Sequence, residues 1–240
     1  KRKAKNFYLS QCENAIFDNL NLKGYSFIPN FFSQDELNKL EVYGKNLLKN
    51  KESSINKILK DKNIKAINKD TLVYEKTHIM NKIITNESLI KIVSKYLGTY
   101  PLIRRADIVL SSQRSRSIKG SQYWHIDDLD SKIIKLFIYL TDVSSEDYGP
   151  FILSQKNYNS SKKFKNKRLG HVSDEKLRRM NCELKPTNII GNKGTTFIVD
   201  TANTPHKGSI KLIKNRLVFV GTFASHSHWS TLDSNIVHNY

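Results

Sequence analysis

The rhythm of apolar residues changes near residue 100. Before it, apolar positions recur at helical spacing. Leu37, Leu40, Tyr43 and Leu47 follow Ser33-Gln34-Asp35-Glu36, a capping box with Ser33 at the N-cap and Glu36 three residues on. That pattern predicts a helix to about residue 49. Leu89, Ile92, Val93, Tyr96 and Leu97 form a second stripe, starting at Asn86 and stopped by Gly98. Residues 24–29 read as a short strand, and the lysine-rich stretch 49–70 as a helix with a loop. From Pro101 onward the signal is β. Segments 102–110, 123–127, 133–140, 151–153, 195–199 and 216–223 are short, apolar and bounded by Gly, Pro, Asn and Ser. Helices first and many short strands afterwards predict a mainly β, α+β chain: a sandwich or jelly-roll barrel with helices packed on one side. At 240 residues the chain fits a single domain, with a helical layer over 1–100 and a barrel core over 101–240. A basic insertion interrupts the core at about 156–185. Its first part, 156–168, holds six Lys or Arg among Ser and Asn; it reads as a solvated loop or as a lid over the barrel mouth.

Four residues on this framework carry chemistry. His125 and Asp127 lie two apart on a predicted extended segment, so both side chains point to one face. His206 lies between two strand candidates, and Arg216 opens the last one. Two imidazoles and one carboxylate can occupy one face of an octahedral metal and leave the other open, the arrangement of non-haem Fe(II) oxygenases. A His-x-Asp alone is weak evidence; its placement on neighbouring strands with a second histidine and an arginine gives it weight. Lys135 interrupts an otherwise apolar strand on the face of Phe137 and Tyr139. It can reach inward to a carboxylate or point outward at the strand end. Asp128 should face away from the metal, and Tyr123 and Trp124 suit either pocket or core. His226 and His228 read as surface residues, and His78, His171 and His238 have no informative context.

Composition changes the picture in two respects. Cys12 and Cys182 are too few for a disulfide framework or a thiolate zinc site, which fits a reducing cytoplasm. No apolar run has the length of a membrane span, and Lys1-Arg2-Lys3-Ala4-Lys5 leads into no apolar stretch of the kind a secretory signal needs. The net charge of +18 suits an anionic partner or substrate. Lysines outnumber arginines 31 to 9, however, which fits a compositional bias better than an arginine-led nucleic-acid surface.

The chain resembles the phytanoyl-CoA dioxygenase family of Fe(II)/2-oxoglutarate-dependent oxygenases. The resemblance rests on Gly24-Tyr25 leading into Asn30-Phe31-Phe32-Ser33, on Tyr123-Trp124-His125-Ile126-Asp127, and on Lys135 through Val143. It continues in Gly149-Pro150-Phe151 and in Gly194-Thr195 through His206-Lys207-Gly208 to Arg216. It departs at 153–158, where family members often carry a Gly-Ser-His turn and this chain reads Leu153-Ser154-Gln155-Lys156-Asn157-Tyr158. The resemblance implies a double-stranded β-helix with iron at its open end, held by His125, Asp127 and His206. It implies 2-oxoglutarate held by Arg216, with Lys135 as a second contact. The activity implied is hydroxylation of an aliphatic C–H bond in a small molecule, with O2 consumed and succinate and carbon dioxide released; the basic charge of the chain, rather than the resemblance, favours an anionic one. Related halogenases lack the carboxylate, so Asp127 favours hydroxylation. Two alternatives are a nucleic-acid oxidative demethylase and a non-catalytic barrel serving as a binding module. The first is disfavoured because no arginine follows Arg216.

Overall fold

The computed structural model describes residues 7–50, 64–66, 79–111, 120–156, 159–166 and 169–225. Five elements precede the barrel on the helical side: α1 (Gln11–Lys23), β1 (Tyr25–Phe27), α2 (Gln34–Asn50), α3 (Ile79–Ile84) and α4 (Glu87–Leu97). Between α2 and α3 lies β2 (Ile64–Ala66), a short strand inside the stretch 49–70 that reads from sequence as a helix with a loop; α2 ends at Asn50. The other residues of 51–70 lie outside the described ones. The helix from Asn86 has the expected ends, with the Asn86 side chain accepting from Leu89 N and Gly98 in the left-handed region at its C-terminus. The alternating half supplies β3 (Leu102–Ser111), β4 (Ile133–Tyr139), β5 (Phe151–Ser154), β6 (Pro186–Ile189), β7 (Thr196–Asp200), β8 (His206–Gly208) and β9 (Arg216–Ala224).

These strands form two antiparallel sheets. One has six strands in the order β1-β7-β4-β9-β3-β2, and the other three in the order β6-β5-β8. Alternation along each strand divides the large sheet into two faces. Ile108, Leu110, Ile134, Leu136, Ile138, Leu217, Phe219 and Phe223 pack against Leu20, Leu40, Ile83, Leu89, Ile92 and Val93 of the helical layer. The opposite face presents Phe137, Tyr139, Phe197, Val199 and Val218 to Phe151, Leu153 and Ile189 of the small sheet. This is a jelly roll with helices on one side, the fold expected from the pattern. The N-terminal part is not only a covering layer, since β1 pairs with β7 and β2 with β3, extending the large sheet at both edges.

The basic insertion is corrected from a solvated loop. Residues Asn159–Asn166 form α5 and Asp174–Arg179 form α6. Phe164 is fully buried with Trp124, Val172, Leu177 and Cys182 in a small core that also takes in Ile152, on the outward side of β5. One large apolar side chain in a polar helix thus anchors the segment to the small sheet.

Candidate metal centre

Residues 123–127 run extended without forming a ladder strand. A single helical turn, Gly120–Gln122, precedes them. Their backbone then makes two isolated bridges, Trp124 with Val172 and His125 with His206. His125 and His206 exchange both backbone hydrogen bonds, at 3.0 and 2.9 Å, which sets their rings 4.2 Å apart between centroids. Asp127 N donates to Thr201 O at 2.9 Å, tying the carboxylate to the turn that leads to His206. Donor atoms of His125, Asp127 and His206 lie within 4.8 Å of one another.

The residues around these donors set their state. His125 Nδ1 lies 2.8 Å from Tyr123 O, and His206 Nδ1 lies 2.9 Å from Thr204 O. A carbonyl only accepts, so each Nδ1 carries the proton and each Nε2 keeps its lone pair. Burial disfavours the charged imidazole in both. It lowers His125, and it takes His206, beside His125, to about 3. Burial alone would raise Asp127, but the attraction of Lys135 and His206 outweighs it and holds the carboxyl at about 2. Lys135 therefore points inward, with its Nζ 2.6 Å from Asp127 Oδ2. That oxygen is buried, and no donor is aligned on it as a hydrogen bond. Two neutral nitrogens and an ionised carboxylate fit a divalent cation, so the residues suit the iron that the pattern implies.

Arg216 lies at the other end of the same face. In the register of β4 and β9, Lys135 pairs with Thr222, Phe137 with Val220 and Tyr139 with Val218, so Arg216 comes one step beyond Tyr139. Its guanidinium donates to Gly149 O and, at 3.2 Å, to Ser111 Oγ, while its buried Nε has no partner. Burial disfavours its charge, only partly offset by Tyr139. Among the described residues no carboxylate pairs with it, so a salt bridge does not explain a cation in the barrel.

Three contributors were not read from the chain. His171 is stacked on His125, with ring centroids 4.8 Å apart; only the Trp124–Val172 bridge brings it there, and nothing in the local sequence signals it. Gly24 adopts φ 85° at the end of α1, where a Cβ would collide with the Thr204 hydroxyl. Its carbonyl accepts from Asp200 N at 2.8 Å and from Thr204 Oγ1 at 3.3 Å, bracing the turn that carries His206. Asp200, fully buried, accepts from Tyr96 Oη at 2.5 Å and from Asn203 Nδ2 at 2.7 Å behind the same turn. Asp128 is exposed, as expected, and Asp130 is buried, accepting from Ser131 N and from Ser225 N and Oγ. Trp124 belongs to the small outer core, donating to Asp174 at 2.6 Å. His78, His226, His228 and His238 lie outside the described residues.

No family model matches this chain, and no curated protein matches it. Solved structures do. The non-heme alpha ketoglutarate dependent epimerase SnoN from nogalamycin biosynthesis aligns over 89% of this chain and 82% of its own, with TM-score 0.59 and 12% identity. HygX from Streptomyces hygroscopicus, solved with nickel and 2-oxoglutarate bound, aligns over 91% and 88%, with TM-score 0.60 and 14% identity. EctD from S. alaskensis, solved with 2-oxoglutarate and 5-hydroxyectoine, aligns over 93% and 79%, with TM-score 0.58 and 17% identity. At these identities the likeness establishes the fold: the chain has the barrel of the 2-oxoglutarate-dependent non-haem enzymes.

Proposed function

We propose that this protein is an Fe(II)/2-oxoglutarate-dependent oxygenase of the phytanoyl-CoA dioxygenase type, acting in the cytoplasm on an aliphatic C–H bond of a small anionic molecule. The observation that carries the reading is the convergence of His125, Asp127 and His206, with both Nδ1 atoms tied to carbonyls and Asp127 Oδ2 left without an aligned donor. These three residues are the ligands in this reading. Bound iron and 2-oxoglutarate would supply the oxidising power, with O2 consumed and succinate and carbon dioxide released.

The chain's own residues orient and neutralise. The planar fork of Arg216 suits the distal carboxylate of the cosubstrate, its free Nε marking unused hydrogen-bonding capacity. Lys135 holds Asp127 ionised and, once a metal takes over that carboxylate, would be free to meet a carboxylate of the cosubstrate or of the substrate. Phe137, Phe151 and Phe197 lie between the histidines and Arg216, with Phe151 stacked on His206 at 5.3 Å, and they exclude water from the interior. Asp127 would hold the position that related halogenases leave to halide, which supports hydroxylation.

The test is succinate release over a panel of amino acids, acyl carriers, sugars and nucleotides, with Fe(II) and 2-oxoglutarate supplied. Product should gain one oxygen atom, and Asp127→Ala should abolish turnover. An isomerised product of unchanged mass would move the chemistry towards that named for SnoN. Turnover that survives Asp127→Ala would refute the metal assignment. Tight, steeply salt-dependent binding of DNA or RNA would revive the demethylase alternative. Failure to take up Fe(II), Mn(II) or 2-oxoglutarate would favour a binding module.

A further inference from the structure

We infer that Arg105, Thr222 and Lys135 form a recognition row for a single negative charge on the substrate. The inference rests on the oxygenase reading and names the group that reading leaves open.

The row comes from strand register. Arg105 on β3 pairs with Thr222 on β9, and Thr222 pairs with Lys135 on β4. Directly paired residues of antiparallel strands share a face. That face is the barrel interior, because Ala106, Ile108 and Leu110 of β3 and Phe223 of β9 pack on the helical side. Neighbouring strands lie about 4.8 Å apart, so Arg105 and Lys135 bracket Thr222 at a backbone separation of roughly 10 Å, within reach of two long side chains.

Continuous register puts Arg105 there. Arg105–Thr222, Asp107–Val220, Val109–Val218 and Ser111–Arg216 pair in one unbroken run, so Arg105 shares the interior face of Asp107 and Val109. The register shifts just before it, between Ile103 and Arg105, so Arg105 is the first residue of that run. Asp107, two residues on and buried, takes one side of the guanidinium at 2.6 Å, while the Arg105 side chain stays 52% exposed. A guanidinium has five N–H donors, so the contact with Asp107 does not exhaust them.

Charge completes the case. Arg105 and Asp107 offset each other, as do Lys135 and Asp127 in the metal-free protein. A divalent metal and a dianionic cosubstrate cancel each other. With both in place, Asp127 balances only one of Arg216 and Lys135. One positive charge then remains in a partly desolvated interior, and it calls for a monoanionic group such as a carboxylate.

Bromide probes the row without any requirement of shape. Crystals of the protein loaded with Mn(II) and 2-oxoglutarate are soaked in bromide, and anomalous density is read between Arg105 and Lys135. A peak there that is lost in Arg105→Gln and in Thr222→Val supports the row; no peak in the wild type overturns it. The same maps show whether Mn(II) and 2-oxoglutarate occupy the barrel, so a failed oxygenase reading is seen separately and the row is still judged by its own peak. In the succinate-release panel, compounds with one carboxylate should exceed their carboxamides in kcat/KM by about tenfold or more, the scale of one charge-assisted hydrogen bond. Arg105→Gln should remove that preference. Equal rates for acid and amide would overturn the inference.

Discussion

Replacing Lys135 by methionine should tighten metal binding, although it removes a charged residue from the centre itself. The Lys135 ammonium sits 2.6 Å from Asp127 Oδ2, and the two side chains are only 24% and 17% exposed. A metal on that oxygen must displace the lysine contact. The carboxyl is held at about 2 against 3.8 for an unperturbed aspartate, and Lys135 is the largest attraction opposing the effect of burial. That gap corresponds to about 2 kcal/mol in favour of the ionised form. Part of it also comes from His206, so losing the competing lysine should free about 1–2 kcal/mol, on the order of tenfold in affinity. Methionine keeps the length and apolar stem without the charge. The metal-free variant should pay for the gain, because Asp127 is left buried without its cation at a cost of about 2–3 kcal/mol. The assay is a calorimetric titration with Mn(II), paired with thermal unfolding with and without the metal. The expected result is tighter Mn(II) binding, a lower Tm in the metal-free state and recovery of Tm when Mn(II) is added. Unchanged or weaker Mn(II) binding by the variant would refute the displacement reasoning, and with it the role of Asp127 Oδ2 as a ligand atom.

Other consequences follow from the same contacts. Arg216→Met should weaken 2-oxoglutarate binding by about tenfold to a hundredfold, the worth of a charge-assisted pair, while Mn(II) affinity stays constant; equal loss of both would make Arg216 a structural residue. The metal-free protein should lose stability as pH falls from 6.5 towards 3, because His125 and His206 are held below the ordinary imidazole range while the unfolded chain takes up protons near 6.5. Asp127, lowered to about 2, adds stability present above 3.8 and lost as pH falls towards 2, so a Tm that rises on acidification below 6.5 would contradict both shifts. Tyr96→Phe should cost about 1–3 kcal/mol in urea unfolding, since the buried Asp200 loses its 2.5 Å donor and Lys156 Nζ loses its acceptor at 2.8 Å; a change below about 0.5 kcal/mol would show the Asp200 cluster to be inessential.

The candidate site was legible because metal chemistry demands particular residue types, and the structure brings His125, Asp127 and His206 together with donor atoms within 4.8 Å of one another. Residues whose role depends on the backbone path were not readable. Arg105 meets Lys135 only because β9 pairs with both β3 and β4 at Thr222, and His171 reaches His125 through the Trp124–Val172 bridge. Helix α1 was missed although Ser10 and Glu13 form a complete capping box and Gly24 ends it in the left-handed region. Its apolar stripe is thin, with Ile16 and Leu20 as its buried residues, and the stripe is what reveals a helix by periodicity. The three-residue strand β8 lacks the length to show alternation; it exists because its partner β5 supplies the ladder. In α5, Phe164 is the large apolar residue of an otherwise polar segment, too sparse to outweigh its lysines in a reading by composition.

Strand β9 shows how one short sequence serves both stability and chemistry. Leu217, Phe219 and Phe223 bury into the helical layer, and Gly221 allows Ile84 to approach to within 3.3 Å of where a Cβ would stand. Arg216, Val218, Val220 and Thr222 face the other way, along the line from the deep guanidinium to the mouth. Because the period is two, a slip of one residue would exchange the two sets, exposing Phe219 to the site and driving Arg216 into the apolar layer. The cost of burying that arginine among Ile108, Leu110 and Leu140 holds the register as firmly as the aromatic packing does. Substitutions on the two faces should therefore separate. Phe219→Ala should lower stability by about 3–5 kcal/mol and leave Mn(II) and 2-oxoglutarate affinities intact in the folded fraction. Thr222→Val should leave stability almost unchanged and alter only what the barrel mouth accepts. Parallel urea unfolding and ligand titration of the two variants tests the division, and a Phe219→Ala protein that folds normally yet fails to bind 2-oxoglutarate would show that the faces are not independent.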